Sequence, residues 1–502
     1  MEHIRLVVYA SCLGLALSIM ACTDTGGGET SPATEEDTAD AGGEQQSDTQ
    51  NLPDIENEPE PEPVWEMPTI EGMATVEDEN PDAGVVEVRL RAEPGRVQLA
   101  DDFELDVYTY NGHLPGPLIQ ATVGDEVIVH FTNGLEEPTT IHWHGLRISD
   151  QMDGNPRIQA PVEPGESFTY RFVVPEAGTF WYHPHVRSNE QVEKGLYGAL
   201  VVHDPADPVY DAERVMVVDD ILLDGDRIAD FLAYHPEIMH GRYGNVLLTN
   251  GRADEVVAQG AQGRVERWRI INTANARTMA LSLSGASFKV VGTDGGRLAE
   301  PYQTDRLQMA VGQRYDIEVT LEEPGRVDLN SHVLTLNEQD EVEEIAIPIW
   351  SLDVEETGEE PEAVVWPALE EPAPRPEARE ETLTFNVYQT ALGAVRWTIN
   401  DKAFAEEPLL TFTEGEVVRL RLVNEAGPEH PFHLHGQFFT IVDQGTDETH
   451  QPGFKDTVLV PGRSTVEIIA YMDNPGRWMA HCHILEHAEL GMMAEIVVEA
   501  AP

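Results

Sequence analysis

His481-Cys482-His483-Ile484-Leu485-Glu486-His487 is the most informative stretch of this chain, and Met492 follows ten residues after its cysteine. A thiolate, two imidazoles and a more distant thioether are the ligands of a blue-copper electron-transfer site. On a β-strand successive side chains point to opposite faces, so His481 and His483 share one face and the Cys482 thiolate takes the other. One tripeptide can therefore join a mononuclear copper inside a domain to a metal cluster at the edge of that domain.

His-x-His pairs recur along the chain. There are four of them: His142-Trp143-His144, His183-Pro184-His185, His433-Leu434-His435 and His481-Cys482-His483. With 18 histidines in 502 residues, chance gives only roughly 0.6 such pairs. Each pair offers two imidazoles on one strand face, so four such strands could surround a small metal cluster.

Through these segments the chain resembles the multicopper oxidases, specifically their three-domain laccase-like group, over about residues 83–502. The segments stand in the order and spacing of that family. The resemblance implies an all-β fold of three consecutive cupredoxin-like Greek-key β-sandwich domains. It also implies an enzyme that couples four one-electron oxidations of a small reducing substrate to the reduction of O2 to two waters.

The resemblance further implies four copper ions and a ligand set for each. The type 1 copper is expected at His430, Cys482 and His487, with Met492 as the axial ligand. The type 2 copper is expected at His142 and His433. The type 3 pair is expected at His144, His183 and His483 on one ion, and at His185, His435 and His481 on the other. Electrons would enter at His487, pass through Cys482 and leave by His481 and His483.

The reduction of O2 also needs protons, and Asp153 is the residue expected to supply them. It occupies the position of the family's cluster-proximal carboxylate; the alternative is a turn aspartate that precedes a glycine. Many bacterial relatives carry Glu directly after the second type 1 histidine, but Ala488 stands there, followed by Glu489. Proton delivery is therefore expected to rest on Asp153 or to follow a shifted path. Asp456 matches a family position near the type 1 copper, where it supports a ligand or shapes a turn.

Short β-branched segments alternate with turn signals from residue 85 onward, as in Val85–Leu90, Glu126–Phe131 and Ser167–Val174. This pattern predicts all-β sandwiches. An acidic, proline-rich linker is predicted at Glu355–Glu380. The predicted division is a lipoprotein-type signal peptide at 1–21, an acidic disordered linker at 22–82, domain 1 with trinuclear-site ligands at 83–206, copper-free domain 2 at 207–365, and domain 3 with the type 1 and further trinuclear-site ligands at 366–502.

Charge and leader sequence bear on partners and location. The net charge of −60 excludes nucleic acid as a partner, because phosphate binding needs clusters of Lys and Arg. An apolar run at residues 6–21 predicts export. Ile19-Met20-Ala21-Cys22 looks like a bacterial lipobox, which implies a lipid anchor on Cys22 as the only membrane contact; an ordinary cleaved signal peptide is the alternative. We expect an exported, periplasmic or cell-surface monomer.

Three functions remain open on the sequence. The first is a laccase-like oxidase of phenols or similar small reductants, bound in a groove over His487. The second is a metal-ion oxidase that acts on Cu(I), Mn(II) or Fe(II); its cuprous form is disfavoured because the 13 methionines are scattered rather than clustered. The third is a non-catalytic copper-binding relative, which is disfavoured because no ligand is missing.

Overall fold

β-Strands make up almost all of the regular structure. The computed structural model describes residues 67–232, 234–336, 341–369, 375, 379–390, 393–404, 407–445 and 451–502. Within them the prediction of an all-β chain is confirmed. No helix in this part of the chain is long and apolar enough to cross a membrane. The predicted signal peptide, Cys22 and the acidic linker up to residue 66 lie outside the described residues. The prediction of a disordered linker up to residue 82 is wrong at its end, because Ile70 and Glu71 form a strand that pairs with Glu213 and Arg214.

The first region contains nine strands. They are β1 (Ile70–Glu71), β2 (Val85–Ala100), β3 (Phe103–Tyr110), β4 (Gly116–Thr122), β5 (Glu126–Asn133), β6 (His142–His144), β7 (Ser167–Val173), β8 (Gly178–His183) and β9 (Gly198–His203). Two four-stranded sheets, β3-β2-β5-β7 and β4-β9-β8-β6, pack as the first sandwich. The short helix α1 (Ser188–Gln191) lies between β8 and β9.

The middle region contains thirteen strands. They are β10 (Ala212–Ile221), β11 (Leu223–Asp224), β12 (Arg227–Ile228), β13 (Val246–Thr249), β14 (Val257–Ala261), β15 (Val265–Asn272), β16 (Met279–Ser284), β17 (Ser287–Thr293), β18 (Gly296–Gln303), β19 (Leu307–Met309), β20 (Arg314–Thr320), β21 (Gly325–Leu336) and β22 (Val342–Glu355). The sheet β1-β10-β15-β20-β17-β18, with β13 added beside β10, packs on the sheet β14-β22-β21-β16-β19. The helix α2 (His235–His240) lies between β12 and β13.

The third region contains ten strands. They are β23 (Arg379–Gln389), β24 (Val395–Ile399), β25 (Leu410–Thr413), β26 (Glu416–Asn424), β27 (His430–Leu434), β28 (Phe438–Asp443), β29 (Thr457–Val460), β30 (Thr465–Met472), β31 (Gly476–Cys482) and β32 (Met493–Glu499). The sheets β24-β23-β26-β30-β28 and β25-β32-β31-β27-β29 form the third sandwich. The helix α3 (Leu485–Glu489) lies between β31 and β32.

Alternation of side chains builds the sandwich cores. In β30 the buried residues are Val466, Ile468, Ala470 and Met472, while the residues between them are partly exposed, as expected of a strand with one face in the core. β8 is instead buried on both faces because other parts of the molecule cover its outer side. A separate apolar cluster, which includes Trp181, Val215 and Leu485, joins the three regions.

The strands predicted at Val85–Leu90 and Glu126–Phe131 lie within β2 and β5. β7 ends one residue before the end of the predicted strand at Ser167–Val174. The linker predicted at Glu355–Glu380 is too long at both ends, because Glu355 closes β22 and Glu380 lies in β23. Pairing of these strands with their neighbours decides the boundaries, and it is not visible in local composition.

Candidate metal centres

Cys482 at the end of β31 lies between two imidazoles from other elements. His430 begins β27 and His487 lies in α3. The Cys482 Sγ atom is 3.4 Å from His430 Nδ1 and 3.8 Å from His487 Nδ1, and the two Nδ1 atoms are 3.2 Å apart. Met492 is buried. Two backbone hydrogen bonds hold it beside this group: its carbonyl accepts from the Cys482 N–H, and its own N–H donates to His487 O. The thiol and the two imidazoles are close enough to hold one metal ion.

Burial controls the ionisation of this cluster. It lowers the pKa of His430 to about 3 and that of His487 well below its usual value, so both rings are neutral near pH 7. Burial raises the pKa of the Cys482 thiol, so a nearby cation is needed to hold it as a thiolate. Neutral imidazoles and a thiolate are the forms that bind a metal.

Eight further histidines meet where the first and third sandwiches face each other. Each lies on or next to one of the strands β6, β8, β27 and β31. Their ring nitrogens form overlapping groups that could each hold an ion: His142, His144 and His433; His142, His183 and His185; His144, His183 and His483; and His185, His435 and His481. The last two groups coincide with the ligand sets expected for the type 3 pair.

Most of these rings turn one nitrogen outward to an oxygen and the other inward. Nδ1 of His142 lies 2.9 Å from Asp153 O, and Nδ1 of His433 lies 3.0 Å from Asp456 O. His144 is reversed, with Nε2 at 3.1 Å from the Asp456 carboxylate and Nδ1 facing inward. Among these eight histidines, a ring nitrogen without a hydrogen-bond partner is found on His142, His144, His183, His185, His433 and His483. Unpartnered buried polar atoms are rare in folded proteins, so this inward-facing group fits bound metal.

Asp153 is fully buried, and its carboxylate lies against two of these histidines. Its Oδ2 accepts from His435 Nδ1 at 2.9 Å, and its Oδ1 is 3.1 Å from His142 Nδ1. Burial opposes ionisation of this carboxyl, but the His435 and His142 imidazoles outweigh it and hold the pKa of Asp153 below its usual range. Gly154 follows with φ of 83°, and a Cβ there would collide with Ile141 O, so the turn that presents Asp153 requires glycine.

Asp456 lies at the histidine cluster, whereas the sequence placed it near Cys482. The reason is the pairing of β27 with β29, which sets Thr457 opposite His433 and brings Asp456 to the same edge. Arg314 from β20 donates to both Asp456 carboxylate oxygens, at 2.8 and 2.6 Å. Arg314 was not predicted as a site residue, because nothing local to β20 shows that its side chain reaches another sandwich.

The helix α3 carries a buried carboxyl, that of Glu486, which was not predicted from the sequence. Glu486 is fully buried, and it accepts from Asn275 Nδ2 and from the Arg242 backbone N–H, both at 2.9 Å. Burial raises the pKa of Glu486 to about 8. Ala488 is buried in the same helix and Glu489 is exposed at its end, so neither offers a carboxylate beside the histidine cluster.

His487 is fully buried, so the expected groove over this residue is absent from the described part of the protein. Its Nε2 lies 3.3 Å from Met239 O in α2. The Trp397 ring packs against the imidazole with 3.9 Å between the ring centroids. The helix α2 of the middle region therefore covers His487, the residue predicted from the sequence to face the substrate.

Comparison with known proteins identifies the family. Three family models described as multicopper oxidase match residues 92–207, 212–339 and 374–502. Multicopper oxidase MmcO of Mycobacterium tuberculosis is 30% identical over 450 residues, which cover 82% of this chain and 86% of that protein. The chain is a multicopper oxidase.

Relatives and solved structures agree with this membership. Laccase-1 of Cryptococcus neoformans var. grubii is 28% identical, with 80% of this chain and 78% of that protein covered. A multicopper oxidase structure from Pseudomonas thermotolerans gives a TM-score of 0.71 at 32% identity, over 82% of this chain and 99% of that one. A multicopper oxidase structure from Campylobacter jejuni, described as a metallo-oxidase, gives 0.75 at 26% identity, over 86% and 95% of the two chains.

Membership confirms several of the sequence predictions. The sandwiches are cupredoxin-like, and the protein is a copper-dependent oxidoreductase of the laccase-like group that uses O2 as the electron acceptor. Its cofactors are type 1, type 2 and type 3 copper, and the groups of buried imidazoles and the thiol suit such centres. A small reducing substrate is the electron donor.

Proposed function

We propose that His430, Cys482, His487 and Met492 would hold the type 1 copper, and that the eight clustered histidines would hold the type 2 and type 3 ions. Bound copper would accept single electrons from the reducing substrate and deliver four of them to O2. The observation that carries the assignment is the tripeptide at the end of β31. His481 and His483 belong to the histidine cluster, while Cys482 between them faces His430 and His487.

The protein's own residues orient the ligands and keep water away. Burial lowers the pKa of His433 and His435, so these two imidazoles are neutral near pH 7. Carbonyl or carboxylate oxygens accept the outward N–H groups of His142, His433 and His435. Such outer partners fix which ring nitrogen is free to bind metal. We further propose that Asp153 serves the O2-reducing cluster by holding His435 and His142 and by supplying protons, because its carboxylate is the one that touches both rings.

For the substrate we propose a small one-electron reductant. A laccase-like activity, with a phenol as the electron donor, is supported by similarity to proteins named laccase. The metal-ion alternative, with Cu(I), Mn(II) or Fe(II), is supported by a specific observation: His487 is covered, so an organic donor has no access to its ring. A non-catalytic role is disfavoured because all predicted ligands are present.

Substitution of Cys482 tests the assignment. Copper-loaded wild type should be intensely blue from thiolate-to-copper charge transfer and should contain about four copper ions per chain. Cys482→Ser should lose the blue band and about one of those ions, and keep the rest, because the imidazole cluster does not need the thiolate. Metal analysis and visible spectra measure both. A colourless, fully loaded wild type, or a blue Cys482→Ser variant, would contradict the type 1 assignment.

We also propose that the protein is exported and is lipid-anchored through Cys22 in the periplasm or at the cell surface, and that it is a monomer. The apolar run at 6–21 and the lipobox-like Ile19–Cys22 support the leader and the anchor. Domains at 83–206, 207–365 and 366–502 remain our proposed division. The three matched family models, at 92–207, 212–339 and 374–502, support it.

A further inference from the structure

Side chains from all three regions meet in a buried polar group, which we name the junction. The first region contributes Glu193 and Tyr197, which lie between α1 and β9, and the middle region contributes Asp219 and Asp220 from β10. The third region contributes Glu486 from α3. All five side chains are buried, so the junction is closed to bulk water.

Asp219 differs from the other acids of the junction, because both of its hydrogen-bond donors are uncharged. Its Oδ2 accepts from the Tyr197 hydroxyl at 2.6 Å, and its Oδ1 accepts from the Asp220 backbone N–H at 2.8 Å. Burial of a carboxylate without a cation favours the neutral acid. Burial raises the pKa of Asp219 well above its usual value, and the neighbouring Asp220 raises it further. Asp219 therefore holds a proton near pH 7.

Glu193 and Asp220 each pair with an arginine of the middle region. Glu193 Oε1 accepts from Arg242 Nε at 2.8 Å. Asp220 Oδ2 accepts from Arg277 Nε and from the Gly244 backbone N–H, both at 2.6 Å. Burial nevertheless raises the pKa of Glu193 to about 7, although Arg242 opposes the shift. It also raises the pKa of Asp220, against the effect of Arg277.

The junction holds more acids than bases. The titratable and charged groups that face it are the carboxyls of Glu193, Asp219, Asp220, Glu237 and Glu486, the guanidiniums of Arg242 and Arg277, and the Tyr197 phenol. Two guanidinium groups can neutralise only two of the five carboxylates. The excess is not stable as buried negative charge, so the folded junction binds protons that the same residues release when the chain unfolds.

The junction also connects segments that lie next to the proposed copper ligands. Asn275 of the middle region donates to Asn189 O in α1 at 2.8 Å and to Glu486 in α3 at 2.9 Å. The Arg242 backbone N–H donates to the same carboxylate at 2.9 Å. A new negative charge in the junction would therefore act on the contacts that hold α1 and α3 to the middle region.

We propose that the junction is a pH-sensitive contact between the three regions: a proton held on Asp219 keeps it closed, and loss of that proton to solvent loosens it. An aspartate in the unfolded chain has a pKa of about 3.9, whereas the folded protein raises the pKa of Asp219 well above that value. The stabilisation is therefore fully present below about pH 4 and is lost as the pH rises through the folded-state pKa. The junction needs no copper to act in this way.

Asp219→Asn removes the proton site and keeps the size and the hydrogen-bonding capacity of the side chain. Asp226→Asn is the matched control, because Asp226 is an exposed aspartate in the turn between β11 and β12. Glu193→Gln is a second variant of the junction, and its amide oxygen can still accept from Arg242. All variants are made in the full chain. They are measured with copper and after its removal, because copper binding to histidines depends on pH.

Urea unfolding between pH 5 and 7 measures the bound protons. Each proton that only the folded state holds makes the unfolding constant rise about tenfold per pH unit. Asp219→Asn should therefore reduce the rise of this constant between pH 5 and 7 by about 100-fold, and Asp226→Asn should leave the rise unchanged. A pH-indicator dye counts the same difference directly: on unfolding at pH 6, wild type should release about one proton more than Asp219→Asn.

Amide hydrogen exchange in the folded protein measures the loosening. Exchange is followed over residues 189–197 and 241–245, which contain the junction residues of the first region and the backbone donors Arg242 and Gly244. After correction for the intrinsic pH dependence of exchange, protection of these segments should fall between pH 6 and 9 in wild type. It should not fall in Asp219→Asn, because that variant gains no charge at position 219.

Equal proton release from wild type and Asp219→Asn would overturn the proposal, because Asp219 would then be ionised in the folded protein. Equal protection of the wild-type segments at pH 6 and 9 would overturn it as well. If Asp219→Asn does not fold, Glu193→Gln decides by the same measurements, and it should reduce the rise of the unfolding constant about tenfold or more. Protection that depends on added Ca²⁺ or Na⁺ and not on pH would show that a cation balances the carboxylates, and would reject the stored proton.

Discussion

At the scale of single residues, Asp153 shows how one side chain can serve several ligands. Its carboxylate holds His435 and lies beside His142, and its backbone carbonyl accepts from His142. The two histidines belong to different sandwiches, so Asp153 orients imidazoles on both sides of the interface. This position agrees with the predicted cluster-proximal carboxylate and adds an orienting role to the proposed supply of protons.

Asp153→Asn should slow the O2 half-reaction and spare the reducing half-reaction. Loss of an outer partner of metal-binding histidines typically costs about 10–100-fold in metal affinity or activity, and we expect the return of the blue colour on mixing with O2 to slow by that factor. Anaerobic reduction by the donor should remain near wild type, since Asp153 lies at the other centre. Glu489→Gln, at the exposed end of α3, is the control. Equal reoxidation rates in Asp153→Asn and wild type would show that Asp153 only shapes the turn.

At the scale of secondary structure elements, β20 fastens the three sandwiches together at the cluster. Arg314 begins this strand and donates to Thr179 O in β8, to Asp294 O in the middle region and to the Asp456 carboxylate beside β29. Gly312, just before the strand, lies against the histidines, because a Cβ there would be 3.0 Å from both His144 and His483. The start of β20 thus packs against the histidine cluster and links, through hydrogen bonds, the segments that surround it.

Arg314→Met should destabilise the metal-free protein by about 3–5 kcal/mol, because it leaves the buried Asp456 charge without its main partner. Urea unfolding of metal-free protein measures the change without a contribution from copper. Arg264→Met is the matched control, because Arg264 pairs with Asp211 at 2.8 Å with half of its side chain exposed, so its loss should barely move the transition. Similar shifts in the two variants would mean that the Arg314 network adds no more stability than a surface pair.

At the scale of the whole molecule, the chain combines a folded oxidase with a long acidic segment. Residues 23–66, which precede the described part of the chain, hold 14 acidic residues and no lysine or arginine. The catalytic part itself requires the first and third sandwiches together, because each supplies histidines to one cluster.

Cys22→Ala should convert a membrane-bound protein into a soluble, active one. A single acyl chain binds membranes only weakly and reversibly, so stable attachment would come from the several chains of a lipoprotein. Detergent partitioning of cell fractions measures attachment. Cys12→Ala is the control, because Cys12 lies inside the predicted leader and should not affect anchoring. A soluble wild type whose mature N-terminus lies elsewhere than Cys22 would rule out the lipoprotein, and export would remain.

The proposed ligand residues could be recognised in the sequence because their spacing is a local property. Side chains two residues apart share a strand face, so His142 and His144, or His481 and His483, must project together wherever the strand lies. The opposite face is equally determined, which is why Cys482 could be assigned to a separate centre. The resemblance to a family then supplied the partners of each pair.

Contacts between distant segments were decided only by the tertiary structure. Asp456 reaches the histidine cluster because β29 pairs with β27, and Arg314 reaches Asp456 because β20 starts at the interface of three sandwiches. The helix α2 covers His487 although 248 positions separate Met239 from His487. No local periodicity encodes such proximity, because it follows from the packing of whole sheets and the connections between them. The sequence therefore determined which residues we propose as copper ligands, and the packing determined which neighbours contact them and what can reach them.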